Sequence, residues 1–249
     1  MIRRTLARIH LALTLLIGVS YWAIGGVIFV LMGLVLVPLL PRVRSRAIGQ
    51  WLLQRAFSGF MLLETLLGLT KFEFEGLEAL NLAQGGLVVA PNHPALWDAT
   101  FVIARVQGLR CILKASLMRN PFLAGGATLA GFIPNKPTHK MMMRSIEALK
   151  AGERLLFFPE GTRTRKAEGV VNAFPGGIGI IAVQSGRPVW PVFIRTNSDF
   201  LSKGWPLWRP PDRRMKICLK IGEPVVALEG EDAAGFTARL QKVFLKELG

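Results

Sequence analysis

Cysteine, histidine and negative charge are all scarce in this sequence. Its 249 residues hold two cysteines and three histidines, and 16 acidic side chains face 31 lysines and arginines, for a net charge of +15. Cys111 and Cys218 form no C-x-x-C pair, so no disulfide framework is expected; each lies in an apolar, strand-like run and reads as a buried thiol. His10, His93 and His139 are scattered, and none has a cysteine or paired acid at ligand spacing, so no metal site is expected. His10 lies in an apolar run and His139 in a basic stretch, which leaves His93 as the one histidine in a catalytic setting. No G-x-S-x-G nucleophile elbow occurs, so a reacting hydroxyl is expected from a substrate. Internal repeats and low-complexity tracts are absent as well.

What is abundant is positive charge and apolar surface. An excess this basic calls for an anionic partner, either nucleic acid or an anionic membrane. With 51% hydrophobic residues and long uncharged runs, the membrane surface is favoured, and no nucleic-acid recognition motif is present. Ile9 to Leu40 contains no Asp, Glu, Lys or Arg. This is enough for one tilted membrane helix, or for a re-entrant hairpin bent at Gly25 and Gly26. Arg3, Arg4 and Arg8 flank one end and Arg42, Arg44 and Arg46 the other, which fits the hairpin slightly better and gives no orientation. The run is too long for the apolar region of a cleaved signal peptide. Gln50 to Thr70 mixes Trp51, Phe57, Phe60 and leucines with Gln54, Arg55 and Glu64, as an amphipathic helix does on a membrane or on the domain. The expected organisation is therefore a membrane-inserted segment over 1–45, an interfacial helix over 46–70 and an α/β domain over 71–249.

Within that domain, Lys71–Glu75 alternates like an edge strand. Strands are also expected at Gly86–Ala90, Cys111–Leu113, Arg154–Phe158, Val189–Arg195 and Met215–Ile221. Helices are expected at Asp98–Val106, Thr138–Lys150, Gly177–Gln184 and Asp232–Leu248. The alternation implies an α/β fold: a layered, mostly parallel or mixed sheet flanked by helices, with the N-terminal membrane helix or helical hairpin attached.

Two strand ends carry unusual chemistry. The first reads Pro91-Asn92-His93-Pro94-Ala95-Leu96-Trp97-Asp98. Asp98 can accept from one ring nitrogen of His93 and fix its tautomer, leaving the other nitrogen to take a proton. The second reads Pro159-Glu160-Gly161-Thr162-Arg163-Thr164-Arg165-Lys166. Gly161 permits a tight turn, Thr162 offers a hydroxyl and Arg163 a planar fork suited to phosphate. Taken alone, this second stretch reads equally well as an exposed basic turn.

Asn92-His93 with Asp98, followed by Phe158-Pro159-Glu160-Gly161-Thr162-Arg163, closely resembles the glycerolipid acyltransferase family, whose best-known members are lysophosphatidic acid acyltransferases. The resemblance runs from about Phe72 to Glu223. Gly186-Arg187-Pro188-Val189-Trp190-Pro191-Val192 looks like the family's late apolar block. Gly131-Phe132-Ile133-Pro134-Asn135-Lys136 departs from it: Asn135 and Lys136 stand where the family usually has an acid and an arginine, in a block associated with acceptor binding. Asn135, Arg119-Asn120-Pro121 and Pro210-Pro211-Asp212-Arg213-Arg214 resemble bacterial members that acylate dedicated lysolipids.

The resemblance implies transfer of an acyl group from acyl-CoA or acyl-carrier protein to the hydroxyl of an anionic lysophospholipid, with no cofactor beyond that co-substrate. His93 would be the general base and Asp98 its orienter. Asn92, Glu160, Gly161, Thr162 and Arg163 would hold the acceptor, with Arg163 on its phosphate. Lys114 is a second candidate cation, although a solvated surface lysine fits it too. Backbone amides near Pro188 or Gly161 are candidates for the oxyanion donor. The alternative is the same chemistry on another acceptor: a dedicated lysolipid, an aminolipid or glycerol 3-phosphate. The expected location is a bacterial inner membrane, with the catalytic domain on the cytoplasmic side. Phe200, Trp205 and Trp208, set among Lys203, Arg209, Arg213 and Arg214, suit either an interfacial anchor or a loop packed on the domain.

Overall fold

The computed structural model describes residues 2–249 except 121, 207 and 212, and leaves out the side chains of 2–11, 14, 15 and 166. The expectations for Arg3, Arg4, Arg8, His10, Pro121, Lys166 and Asp212 thus lie outside what is described.

The order of elements is α1 (Ile2–Leu39), α2 (Arg42–Leu66), β1 (Thr70–Glu75), α3 (Glu78–Leu82), β2 (Leu87–Pro91), α4 (Asp98–Arg105), β3 (Leu109–Leu113), α5 (Ala124–Leu129), β4 (Ile133–Pro134), α6 (Thr138–Lys150), β5 (Arg154–Leu156), α7 (Gly177–Ser185), β6 (Val189–Thr196), β7 (Met215–Ile221) and α8 (Ala233–Leu248). A 3-10 helix at Ala115–Arg119 follows β3. The seven strands lie in the order β1-β7-β6-β2-β5-β3-β4. β6, β2, β5, β3 and β4 are parallel; β7 runs antiparallel to β6 and carries β1 parallel to itself. The expected mixed sheet is present, with Thr70–Glu75 on one edge.

β2 is buried along its whole length. A parallel strand covered on both faces reads as a continuous apolar run, and Leu87 to Ala90 is one. Leu87 and Val89 face a core completed by Phe60, Phe101, Leu156, Ile194 and Ile217. Val88 and Ala90 face the other core, with Leu155, Ile178, Ile181, Phe236 and Phe244. Cys111 is buried, as expected, but Cys218 is only half-buried, because it lies on β7 near the open side of the sheet.

The N-terminal run is one continuous helix through Gly25 and Gly26, so the bend expected there is absent. Gly26 serves close packing instead: a Cβ at that position would lie 2.6 Å from the Phe122 carbonyl oxygen. A Cβ on Gly125 in α5 would likewise lie 2.5 Å from the Val30 Cα. Tyr21 donates to the Ala56 carbonyl at 2.6 Å, and Trp22 packs on Phe57 and Phe60 of α2. α2 begins at Arg42 and ends at Leu66, so the boundary expected at residue 45 falls inside it, and Thr70 already belongs to β1. Its Leu53, Phe60 and Met61 are buried, whereas Trp51, Leu62 and Leu66 are exposed.

Candidate active site

Because five strands are parallel, their carboxyl ends share one edge, where ligand sites of α/β sheets form. β2 ends there in Asn92-His93, β5 in the 159–164 turn, β3 in Lys114 and β4 in Asn135.

His93 Nδ1 lies 2.9 Å from Asp98 Oδ2. Asp98 opens α4, is almost fully buried and also accepts from the Ala95 amide at 2.7 Å. The same oxygen thus holds both the imidazole and the loop between the two residues. Burial pushes the Asp98 carboxyl above its ordinary range, against the His93 contact, the Ala95 amide and the charge of Arg163, which favour the anion. With Nδ1 on the carboxylate, Nε2 is the nitrogen left for a substrate proton. The His93 side chain retains 17% exposure, enough to be reached. Phe158 stacks on its ring at 4.1 Å between centroids and limits its rotation.

The second stretch grips the first through the backbone. The His93 amide donates to Glu160 Oε1 at 2.8 Å, and the His93 carbonyl accepts from the Thr164 amide at 2.7 Å. Glu160 Oε1 also accepts from the Thr164 hydroxyl, and Oε2 from the Asn172 amide, each at 2.8 Å. Burial raises the Glu160 carboxyl, while the Asn172, Thr164 and His93 donors oppose the shift. A carboxylate that accepts from three protein donors and is almost fully buried positions the loop. Asn92 is likewise engaged within the protein. Its side-chain amide donates to the Ile194 carbonyl at 2.9 Å and its oxygen accepts from the Ile194 amide at 2.6 Å, pinning β2 to β6.

Arg163 is divided between two tasks. Its Nη1 donates to the carbonyls of Leu201 and Ser202 at 2.9 and 3.0 Å, so at most Nε and Nη2 are left for an anion. Gly161 adopts φ +65° and its amide donates to the Phe158 carbonyl, so that amide closes a turn and is not an oxyanion donor. The Pro188 candidate also falls. It precedes β6 at the amino end, where Val88 pairs with Val189, a strand length from His93. The Thr162 hydroxyl accepts from Lys203 at 3.2 Å. Lys114 is exposed at the β3 end, ahead of a turn that Asn135 caps by accepting from the Ala115 amide at 2.9 Å.

Sequence reasoning missed Asn172 and Leu201. Asn172 had one signal, a polar residue between the apolar Val171 and Phe174. Leu201 had none, because it acts through its carbonyl. No group of three or more His, Cys, Asp or Glu suited to a metal is found among the described residues.

Comparison with known proteins covers the region that holds these residues. The family model described as Acyltransferase matches residues 71–195, half the chain, including both strand-end stretches. A 1-acyl-sn-glycerol-3-phosphate acyltransferase of Pseudomonas aeruginosa is 28% identical over 141 residues, 54% of this chain and 53% of that protein. A chloroplastic protein of the same description from Brassica napus is 27% identical over 139 residues, 54% of this chain and 40% of that protein. The chain thus spans about half the length, or less, of these relatives. In fold, it is similar to the crystal structure of the 1-acyl-sn-glycerophosphate (LPA) acyltransferase PlsC from Thermotoga maritima, with a TM-score of 0.68 and 22% identity, covering 98% of this chain and 97% of that one. The His93–Asp98 pair and the Glu160 turn that holds it thus lie inside the matched region, and the chain belongs to the acyltransferase family, among members resembling lysophosphatidic acid acyltransferases.

Proposed function

We propose that the protein transfers an acyl group from a CoA or carrier-protein thioester to the free hydroxyl of a lysophospholipid of the lysophosphatidic acid type. The observation that carries this reading is His93, held at Nδ1 by Asp98 and along its backbone by Glu160 and Thr164. Nε2 takes the hydroxyl proton as the oxygen attacks the thioester carbonyl. The tetrahedral intermediate collapses, the C–S bond breaks, and the leaving thiolate takes the proton back from the imidazolium. No acyl-enzyme forms. General-base help of this kind contributes about 10²–10⁴-fold, and orientation of the two substrates adds to it. The remaining N–H groups of Arg163, with Lys114 across the strand ends, supply charge for the acceptor phosphate.

The acceptor of such a reaction stays in a bilayer, and α1 suits one. Its Leu16–Leu39 stretch is apolar enough to enter a membrane. Ile24, Leu31, Leu34 and Leu39 point outward, whereas Tyr21, Trp22, Gly26 and Phe29 pack on the domain. Packed on the domain at Tyr21, Trp22, Gly26 and Phe29 and otherwise largely exposed, the helix offers its outward face to lipid. We therefore read α1 as embedded along one leaflet, with the catalytic edge at headgroup level.

One observation favours a second acceptor. The Asn135 side-chain oxygen holds the turn after Lys114, and Lys136 beside it is exposed, where the family usually has an acid and an arginine. A headgroup other than bare phosphate fits that change. Purified protein given a labelled acyl donor and a panel of lysolipids, with mass analysis of the products, tests both readings. Diacyl product from lysophosphatidic acid supports the first, and product from another lysolipid alone supports the second. No acyl product from any lysolipid overturns both.

A further inference from the structure

The connection between β6 and β7 (197–214) joins the catalytic edge to an exposed basic and aromatic surface. The Leu201 carbonyl accepts from Arg163 Nη1 at 2.9 Å and from the Leu96 amide at 3.0 Å, so one oxygen bridges both motif loops. Leu201 adopts φ +60°, the one positive φ among the described non-glycine residues. A bulky residue costs energy there and persists only where its surroundings hold it. An edge-to-face chain of rings runs outward from the dyad: Trp97, next to Asp98, meets Phe200 at 5.7 Å, and Phe200 meets Trp205 at 6.0 Å. Arg209 lies over Trp205 at 4.5 Å. Beyond it Trp208 is 81% exposed, and Lys203, Arg213 and Arg214 are exposed too.

We propose that this connection is the face by which the site docks on an anionic lipid bilayer, with Trp208 entering the headgroup layer. The inference rests on the reading of the site as one that takes a lipid acceptor. Three observations select lipid over an acidic protein. A tryptophan this exposed is costly in water and at home at a membrane interface. Lys203, Arg209, Arg213 and Arg214 outnumber the acids Asp199 and Asp212 in the connection's sequence, and each cation is worth about fivefold in affinity near an anionic surface. Finally, Pro211 and Gly18 line one small cavity, so the connection lies against α1 near the start of its apolar stretch. Docking here would place the Leu201 and Ser202 carbonyls, and with them Arg163, at the level of the acceptor's phosphate.

The test uses the full chain and the variants Trp208→Ala and Arg214→Gln. Tryptophan emission is followed on vesicles of phosphatidylcholine containing bromine-labelled phosphatidylglycerol. The expected result is a quenched component in wild type that Trp208→Ala lacks. With acyl-CoA as donor, Trp208→Ala should raise the apparent KM for a vesicle-borne lysolipid roughly tenfold, and Arg214→Gln about fivefold. The rate on a soluble, short-chain lysolipid should stay unchanged. Absence of quenching at Trp208 overturns the proposal. So does an equal defect on both acceptors, or a defect confined to carrier-protein donors, which would mark a protein-docking face. If Trp208 is quenched while wild type acylates no lysolipid, the functional reading fails and the docking face stands.

Discussion

Glu160 holds His93 by the backbone: the His93 amide donates to Glu160 Oε1 at 2.8 Å. The acid of one strand-end motif therefore sets where the base of the other begins. Its other contacts, Thr164 and Asn172, fasten the same turn.

Glu160→Gln is therefore expected to act on kcat. The new amide would face an N–H or O–H donor at one oxygen position and leave it unpaired, costing about 1–3 kcal/mol of stability. The shifted base should lower kcat by about 10²-fold and leave the acceptor KM within about threefold. Steady-state kinetics with a thermal melt check this. A large rise in acceptor KM at constant kcat would make Glu160 a ligand instead.

A buried acid away from the site gives a pH prediction. Burial raises the Glu64 carboxyl to about 7, against the Thr70 hydroxyl, which donates to it at 3.0 Å. Its unfolded value is about 4.3. The folded state thus binds a proton more tightly, and the stability this contributes is full below about pH 4.3 and lost as pH rises through about 7. The loss is at most about 4 kcal/mol. Tm should fall between pH 5 and pH 8, and Glu64→Gln should flatten that slope. An unchanged slope in the variant would assign it to other groups.

Contact between α1 and α5 depends on the absence of side chains. A Cβ on Gly125 would sit 2.5 to 2.7 Å from the backbone of Val30 and Phe29. Gly125→Ala is expected to destabilise by about 1–3 kcal/mol and to expose the α1–α2 connection to protease. Wild-type Tm and an unchanged digestion pattern would contradict this packing.

Legibility in the sequence followed the range of the forces involved. β2 and β7 were readable because burial writes itself as apolar runs or alternation, and the His93–Asp98 pair because its partners are five residues apart. The roles of Asn92, Glu160 and Arg163 were not readable, because their partners Ile194, Asn172 and Leu201 are brought near only by the fold. α5 escaped notice because Ala-Gly-Gly-Ala-Thr-Leu has weak helix propensity and is held by packing on α1. β4 is two residues, one of them proline. Gly25 and Gly26 suggested a bend, since glycine permits one, whereas at Gly26 the requirement is close approach.

The most direct measurement is acyl transfer by His93→Gln beside wild type, with labelled acyl-CoA and lysophosphatidic acid, on protein shown by circular dichroism to be folded. The account predicts a fall of at least about 10²-fold in kcat, with both substrates still bound. Transfer at the wild-type rate by that variant would contradict it.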